Sequence, residues 1–164
     1  MIGFLRGKLV SKTPPHLVMD VNGIGYEVET PMSTCLNLPP VGTELTLVTH
    51  LVVREDQHTL FGFANVKERQ LFRDLLKVNR VGAKLALGIL SGISVDGFIR
   101  CVQTEDHRSL AKLPGVGKKT AERLVIDMRD KVDGHDVGVT LVNVSLNGGD
   151  SEPQREAFTA LTTL

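Results

Sequence analysis

Two stretches of this chain carry the same arrangement of glycine, lysine and apolar residues, 35 residues apart. Laid over one another, Leu75-Leu76-Lys77-Val78-Asn79-Arg80-Val81-Gly82-Ala83-Lys84-Leu85-Ala86 and Leu110-Ala111-Lys112-Leu113-Pro114-Gly115-Val116-Gly117-Lys118-Lys119-Thr120-Ala121 agree at six of twelve positions. In each copy an amphipathic helix runs into a tight, glycine-containing turn with a central valine, and a second helix begins at once with lysine in its first turn. Such a turn gathers several backbone N–H groups and the positive end of a helix dipole at one point of the surface, which suits an anion. A lysine one or two residues further on neutralises the same anion. The chemistry is binding rather than bond-making, since backbone amides that meet phosphate oxygens hold a duplex without reading its bases.

Together the copies look like a pair of helix-hairpin-helix motifs, which grip DNA by its backbone. The candidate phosphate contacts are Asn79, Gly82 and Lys84 in the first copy and Gly115, Gly117, Lys118, Lys119 and Arg123 in the second. One such turn alone is weak evidence, whereas two, each followed by lysine, are much stronger. The copies differ where Arg80 stands in the place of Gly115, because a positive φ there strains a residue with a Cβ. Either the turn tolerates Arg80, which then adds a cation, or the first hairpin is remodelled. The competing reading makes the glycines helix C-caps in a bundle and leaves the lysines solvated.

The chain of 164 residues carries 19 basic and 19 acidic side chains, a balance that by itself argues against a polyanionic partner. The distribution reverses that impression. Residues 1–63 hold four basic and six acidic side chains, 64–132 hold fourteen and eight, and 133–164 hold one and five. A middle segment of +6 between segments of −2 and −4 can bind phosphate locally while the rest of the chain repels it.

The elements that must position these residues follow from periodicity. Residues 1–63 read as strands, with apolar and β-branched runs at Leu17–Val21, Tyr26–Glu29, Leu45–Thr49, Leu51–Val53 and Thr59–Phe63. Asn22-Gly23 is a strong hairpin signal, and a second hairpin is expected around Arg54-Glu55-Asp56-Gln57. About five short strands predict a small β-barrel, with the OB-fold as one candidate. From residue 64 to 132 the period becomes helical. Leu71, Phe72, Leu75, Leu76 and Val78 form an apolar face with Lys67, Glu68, Arg69 and Asp74 outside it, and further helices follow near 83–91, 94–102, 105–112 and 118–131. Residues 133–150 read as a flexible linker rich in Gly, Asp, Asn and Ser, and the run Val139–Leu146 within it is not assigned as a strand because it has nothing to pair with. Residues 151–164 carry a capping box, Ser151 with Gln154, and an apolar face, as the start of a small helical domain. The fold class is thus α+β multidomain.

Other chemistries find little support. No GxxxxGK[ST] sequence occurs, so ATP turnover is expected of a partner, and no cofactor is expected. A DNA glycosylase of the helix-hairpin-helix kind needs a catalytic Asp or Lys beside a pocket for a flipped base. Asp127 and Asp130 instead sit at helical spacing among Arg123, Arg129 and Lys131, where salt bridges are the natural role. A single-strand binder relies on aromatic platforms, but the first 63 residues hold only Phe4, Tyr26, Phe61 and Phe63 and are net acidic. Cys35 and Cys101 read as buried thiols, and His16, His50, His58, His107 and His135 are scattered, with no metal-binding pattern. No apolar run approaches the roughly 20 residues of a membrane helix. The N-terminus lacks a secretory pattern, so a cytoplasmic location is expected.

With these residues in view, the chain resembles the bacterial RuvA family, which recognises Holliday junctions and works with the RuvB motor in branch migration during recombination and repair. The resemblance rests on Met1-Ile2-Gly3, Leu5-Arg6-Gly7, Asp20-Val21-Asn22-Gly23-Ile24-Gly25-Tyr26-Glu27-Val28, Thr49-His50-Leu51-Val52-Val53-Arg54-Glu55-Asp56 and Leu113 to Leu124, and covers residues 1 to about 132. It implies a non-catalytic subunit with an N-terminal OB-fold, a tandem helix-hairpin-helix domain and a small C-terminal domain that meets RuvB on a linker. The family continues beyond Leu164, so that last domain is expected to be incomplete here. Four subunits would form a flat plate holding an open, square four-way junction, two plates would make an octamer, and the RuvC resolvase would join the wider complex. The family's acidic pin matches Glu55 and Asp56, whose charges would repel phosphates at the crossover and disfavour plain duplex. Taken alone, a Glu-Asp turn reads as solvated surface. The family pattern Gly-Val-Gly-Pro-Lys becomes Arg80-Val81-Gly82-Ala83-Lys84 in this chain.

Overall fold

Inward-facing apolar side chains spaced along five short strands close the first sixty residues into a barrel. In the computed structural model, which describes residues 1–133, the strands are β1 (Phe4–Thr13), β2 (His16–Val21), β3 (Ile24–Glu29), β4 (Glu44–Val53) and β5 (His58–Phe63). They close in the order β1-β2-β3-β5-β4, antiparallel except for the β3–β5 contact at Glu29 and Phe61. Helix α1 (Met32–Asn37) bridges β3 and β4, completing an OB-fold. Leu5, Leu9, Leu17, Met19, Val28, Leu47 and Leu60 fill the interior, and Cys35 of α1 caps it.

Five strands are present, but not the five runs that the sequence suggests. Leu45–Thr49 and Leu51–Val53 are one strand, β4, and the fifth place belongs to β1, whose Arg6-Gly7-Lys8 interrupts any apolar run. That strand pairs with both β2 and β4, and its register with β2 shifts between Leu9 and Ser11, a bulge that bends the strand to serve both neighbours. Gly7 permits the closest approach: a Cβ there would stand 2.2 Å from the Asp20 carbonyl oxygen. The first hairpin turns as its residues require, with φ of 53° at Asn22 and 88° at Gly23 and the Gly23 N–H donating to Asp20 Oδ1 at 2.7 Å. α1 carries no strong helical periodicity and is a further element that the sequence does not announce.

The remaining described residues form α2 (Val66–Leu75), α3 (Ala83–Gly92), α4 (Val95–Gln103), α5 (His107–Leu110) and α6 (Lys118–Asp133). The helix expected over 105–112 is thus a single turn, begun by Asp106, whose side chain accepts from Ser109 N–H at 3.0 Å. The linker expected over 133–150 lies outside the described residues except for Asp133, which ends α6, and so do the run Val139–Leu146 and the helix expected over 151–164. No single helix among the described residues is long and apolar enough to cross a membrane.

Phe61 and Phe63 of β5 share one core with Leu71, Phe72 and Leu75 of α2 and with the apolar faces of α3, α4 and α6. Phe72 is the hub, its ring 4.9 Å from Phe61, 5.0 Å from Phe63 and 5.8 Å from the His50 imidazole. Polar ties surround it. Arg69 donates to the Gly3 carbonyl at 3.0 Å, Arg73 Nε donates to His50 Nδ1 at 3.1 Å, and the Met32 N–H and Ser33 hydroxyl reach Ser91 and the Leu90 carbonyl of α3.

This seam makes stability sensitive to pH. Burial holds the His50 imidazole below its ordinary pKa, and the positive charges of Arg73 and Arg69 push the same way. The unfolded chain therefore takes up this proton at a higher pH than the folded chain, so stability falls as pH drops from about 6.5 toward the folded value. The urea midpoint is expected to decline over that window, and His50→Asn, which still offers Arg73 an acceptor, should lose this component. An identical decline in the variant would assign it to other groups.

Candidate nucleic-acid interface

The hydrogen bonds of the two turns repeat at the offset of the sequence repeat. Leu76 N–H donates to the Phe72 carbonyl at 3.1 Å as Ala111 does to His107 at 2.9 Å, and Lys77 donates to Asp74 at 3.1 Å as Lys112 does to Ser109 at 3.3 Å. Val78 donates to Leu75 at 3.0 Å and Leu113 to Leu110 at 3.1 Å, while Val81 to Val78 and Val116 to Leu113 are both 3.1 Å. The next helices open with Ala86 on Gly82 and Ala121 on Gly117, both at 2.9 Å. Burial repeats too: Leu75, Val78, Val81, Ala86 and Ile89 are buried in one unit as Leu110, Leu113, Val116, Ala121 and Leu124 are in the other.

Arg80 does not remodel its turn. It takes φ of 69° where Gly115 has 77°, so a left-handed residue occupies the same place in both turns, five residues after the last residue of α2 and of α5. The competing C-cap reading fits none of the glycines, since α5 is capped at Ala111, four residues before Gly115, and positions 82 and 117 precede helices rather than follow them. Gly82 has φ of −89°, Gly117 is not among the positive-φ glycines, and a Cβ at either would meet nothing within 4 Å. Neither the backbone nor the packing of this chain asks for glycine there.

What those glycines leave open is the start of a helix. Asn65, Ser94 and Asp106 close the N-termini of α2, α4 and α5 with side-chain oxygens, accepting from Glu68, Gly97 and Ser109 N–H groups. α3 begins after Gly82 with no side-chain cap, and Gly117, which has no side chain to offer, precedes α6. The first-turn N–H groups of these two helices lack intrahelical partners, and no side chain among the described residues accepts from them. Asn79, Gly82, Lys84, Gly115, Gly117, Lys118, Lys119 and Arg123 are all exposed. The second turn also lies against the first unit: a Cβ on Gly92 of α3 would stand 2.8 Å from Leu113 Cδ2, and one on Gly115 would stand 3.0 Å from Leu85 Cδ1.

The other expected feature sits at the β4–β5 tip. Arg54 N–H donates to the Gln57 carbonyl at 2.8 Å and closes a turn in which Glu55 and Asp56 are exposed. Neither carboxylate has a hydrogen bond or ion pair among the described residues.

Some assignments change. Asp74, placed by periodicity on the outer face of α2, is 4% exposed and takes Lys77 Nζ at 2.8 Å and Gln70 Nε2 at 3.0 Å, bracing the entry to the first turn. The signal was its spacing, Gln70 four residues before and Lys77 three after. Arg129 pairs with Glu105 rather than with a carboxylate of its own helix, and Asp127 and Asp130 are exposed, with no ion pair among the described residues. Cys35 is buried as expected, but Cys101 is only half-buried.

Comparison with known proteins follows the same division. Residues 1–62 match the RuvA N terminal domain and residues 72–130 a SAM-like helix-hairpin-helix tandem. The chain is 54% identical over 170 residues to the Holliday junction branch migration complex subunit RuvA of Methylococcus capsulatus, covering 100% of this chain and 83% of that protein. It belongs to the RuvA family. The RuvA of Pseudomonas putida is 48% identical over 169 residues, covering 100% of this chain and 82% of the relative. That of Pseudomonas aeruginosa strain LESB58 is 60% identical over 131 residues, 80% of this chain, and the match spans 65% of that RuvA's length.

Proposed function

We propose that this chain is the DNA-holding subunit of a branch migration complex, binding four-way junctions by structure rather than sequence and without catalysing a reaction itself. The observation that carries the reading is the duplicated turn, in which two uncapped helix N-termini behind open glycines are set in one rigid core and flanked by lysines. Asn79, Gly82 and Lys84 on one side, and Gly115, Gly117, Lys118, Lys119 and Arg123 on the other, contact phosphates of one arm. Glu55 and Asp56 stand at the crossover and repel phosphates there. The name shared by the relatives supports the junction as the ligand and a multi-subunit complex as the setting. In this reading four copies form a plate, alone or as one of two in an octamer. An ATP-hydrolysing motor, RuvB, docks through the C-terminal domain and supplies the work, RuvC resolves the product, and the assembly acts in the cytoplasm.

Lys119→Ala tests the phosphate contact. Affinity for an immobile four-way junction is expected to fall about tenfold, and the salt slope to become shallower by about one, as for one lost phosphate contact. An unchanged slope removes Lys119 from the interface.

A further inference from the structure

The structure assigns Arg80 a role that the sequence repeat does not: we propose that it is a phosphate-contacting cation of the first turn. This rests on the reading of the two turns as DNA-backbone clamps. The backbone at Arg80 is in the left-handed region, φ 69°, which disfavours any residue with a Cβ. Nothing among the described residues offsets that cost, because Arg80 is exposed and has no hydrogen bond or ion pair there. A conformation that only glycine adopts freely is thus held by a long cation with no partner among the described residues.

The repeat shows what the cation replaces. At the 35-residue offset Lys119 corresponds to Lys84, but Lys118 corresponds to Ala83, so the first unit has one fewer lysine at the head of its second helix. Arg80, on the turn between the two helices, gives the first unit a second cation beside Lys84, as Lys118 stands beside Lys119 in the other. It brings a planar fork of N–H donors suited to phosphate oxygens, where the second unit has a lysine point charge. Arg80 thereby offsets the missing Lys118 equivalent, with the charge carried at a different position.

The test uses Arg80→Gly and Arg80→Lys beside Lys119→Ala, with thermal melts and junction binding across a salt series. Arg80→Gly should melt at a higher temperature than the parent, since it relieves the left-handed strain. It should nevertheless bind a four-way junction about fivefold to tenfold more weakly, with a slope shallower by about one. Arg80→Lys should keep the slope. Opposite signs in stability and affinity are the signature, because a merely structural residue would move both together. If Lys119→Ala lowers the slope while Arg80→Gly does not, the Arg80 contact is overturned and the clamps stand. If neither does, or if the parent chain binds no junction, the clamp reading falls and takes this proposal with it.

Discussion

Replacing Gly82 and Gly117 together by alanine is expected to leave the fold intact and to lower junction affinity by about 100-fold. Hydrogen bonds to a charged group contribute about 1.5–3 kcal/mol each, and the double variant weakens the approach of one phosphate at each of two turns. The added methyl groups meet no atom of the described residues within 4 Å, and neither position has a positive φ. They therefore stand only in the way of whatever comes from outside. Alanine is a poorer N-cap than glycine, which costs up to about 1 kcal/mol per helix. Thermal melts should show that modest loss, and binding titrations the large one. A variant that binds as tightly as its parent would mean that no phosphate approaches these helix starts.

Neutralising the β4–β5 tip acts on selectivity instead. Glu55→Gln with Asp56→Asn should raise affinity for linear duplex by about tenfold while changing junction affinity little, because like charges facing one another disfavour the wrong partner. Both side chains are exposed and have no partner within the described chain, so removing their charge breaks nothing in the fold. The gain should shrink at high salt, where the screening length falls to about 3 Å at 1 M. Gel shifts with both substrates at two stated salt concentrations measure it, and an unchanged ratio would return the pair to solvated surface.

Much of this site was legible because it is local. A turn with glycine, an apolar core residue and a following lysine declares itself within a dozen residues, and duplication at a fixed offset separates it from chance. The Asn22-Gly23 hairpin is legible for the same reason, since its backbone demand falls on two adjacent residues. β1 was not, because a strand that pairs on both sides and crosses β2 at Gly7 is shaped by neighbours far along the chain. Asp74 was misplaced because helical periodicity assigns faces by hydrophobicity, and a buried carboxylate with Gln70 and Lys77 as partners looks polar to such a test. The conformation of Arg80 needed the structure as well: sequence posed strain against remodelling, and only φ at that residue decides between them. The seam of His50, Arg69 and Arg73 is likewise invisible in sequence, its three side chains coming from a strand and a helix that fold brings together.

The most direct measurement is a competition gel shift at one stated salt concentration, setting an immobile four-way junction against linear duplex and single strand of equal length. A strong preference for the junction is expected, because two backbone clamps per subunit and an acidic tip together favour a branched ligand over a straight one. Equal affinity for junction and duplex would contradict junction recognition and leave a generic backbone clamp. Preference for single strands would move the binding surface from the two turns to the barrel.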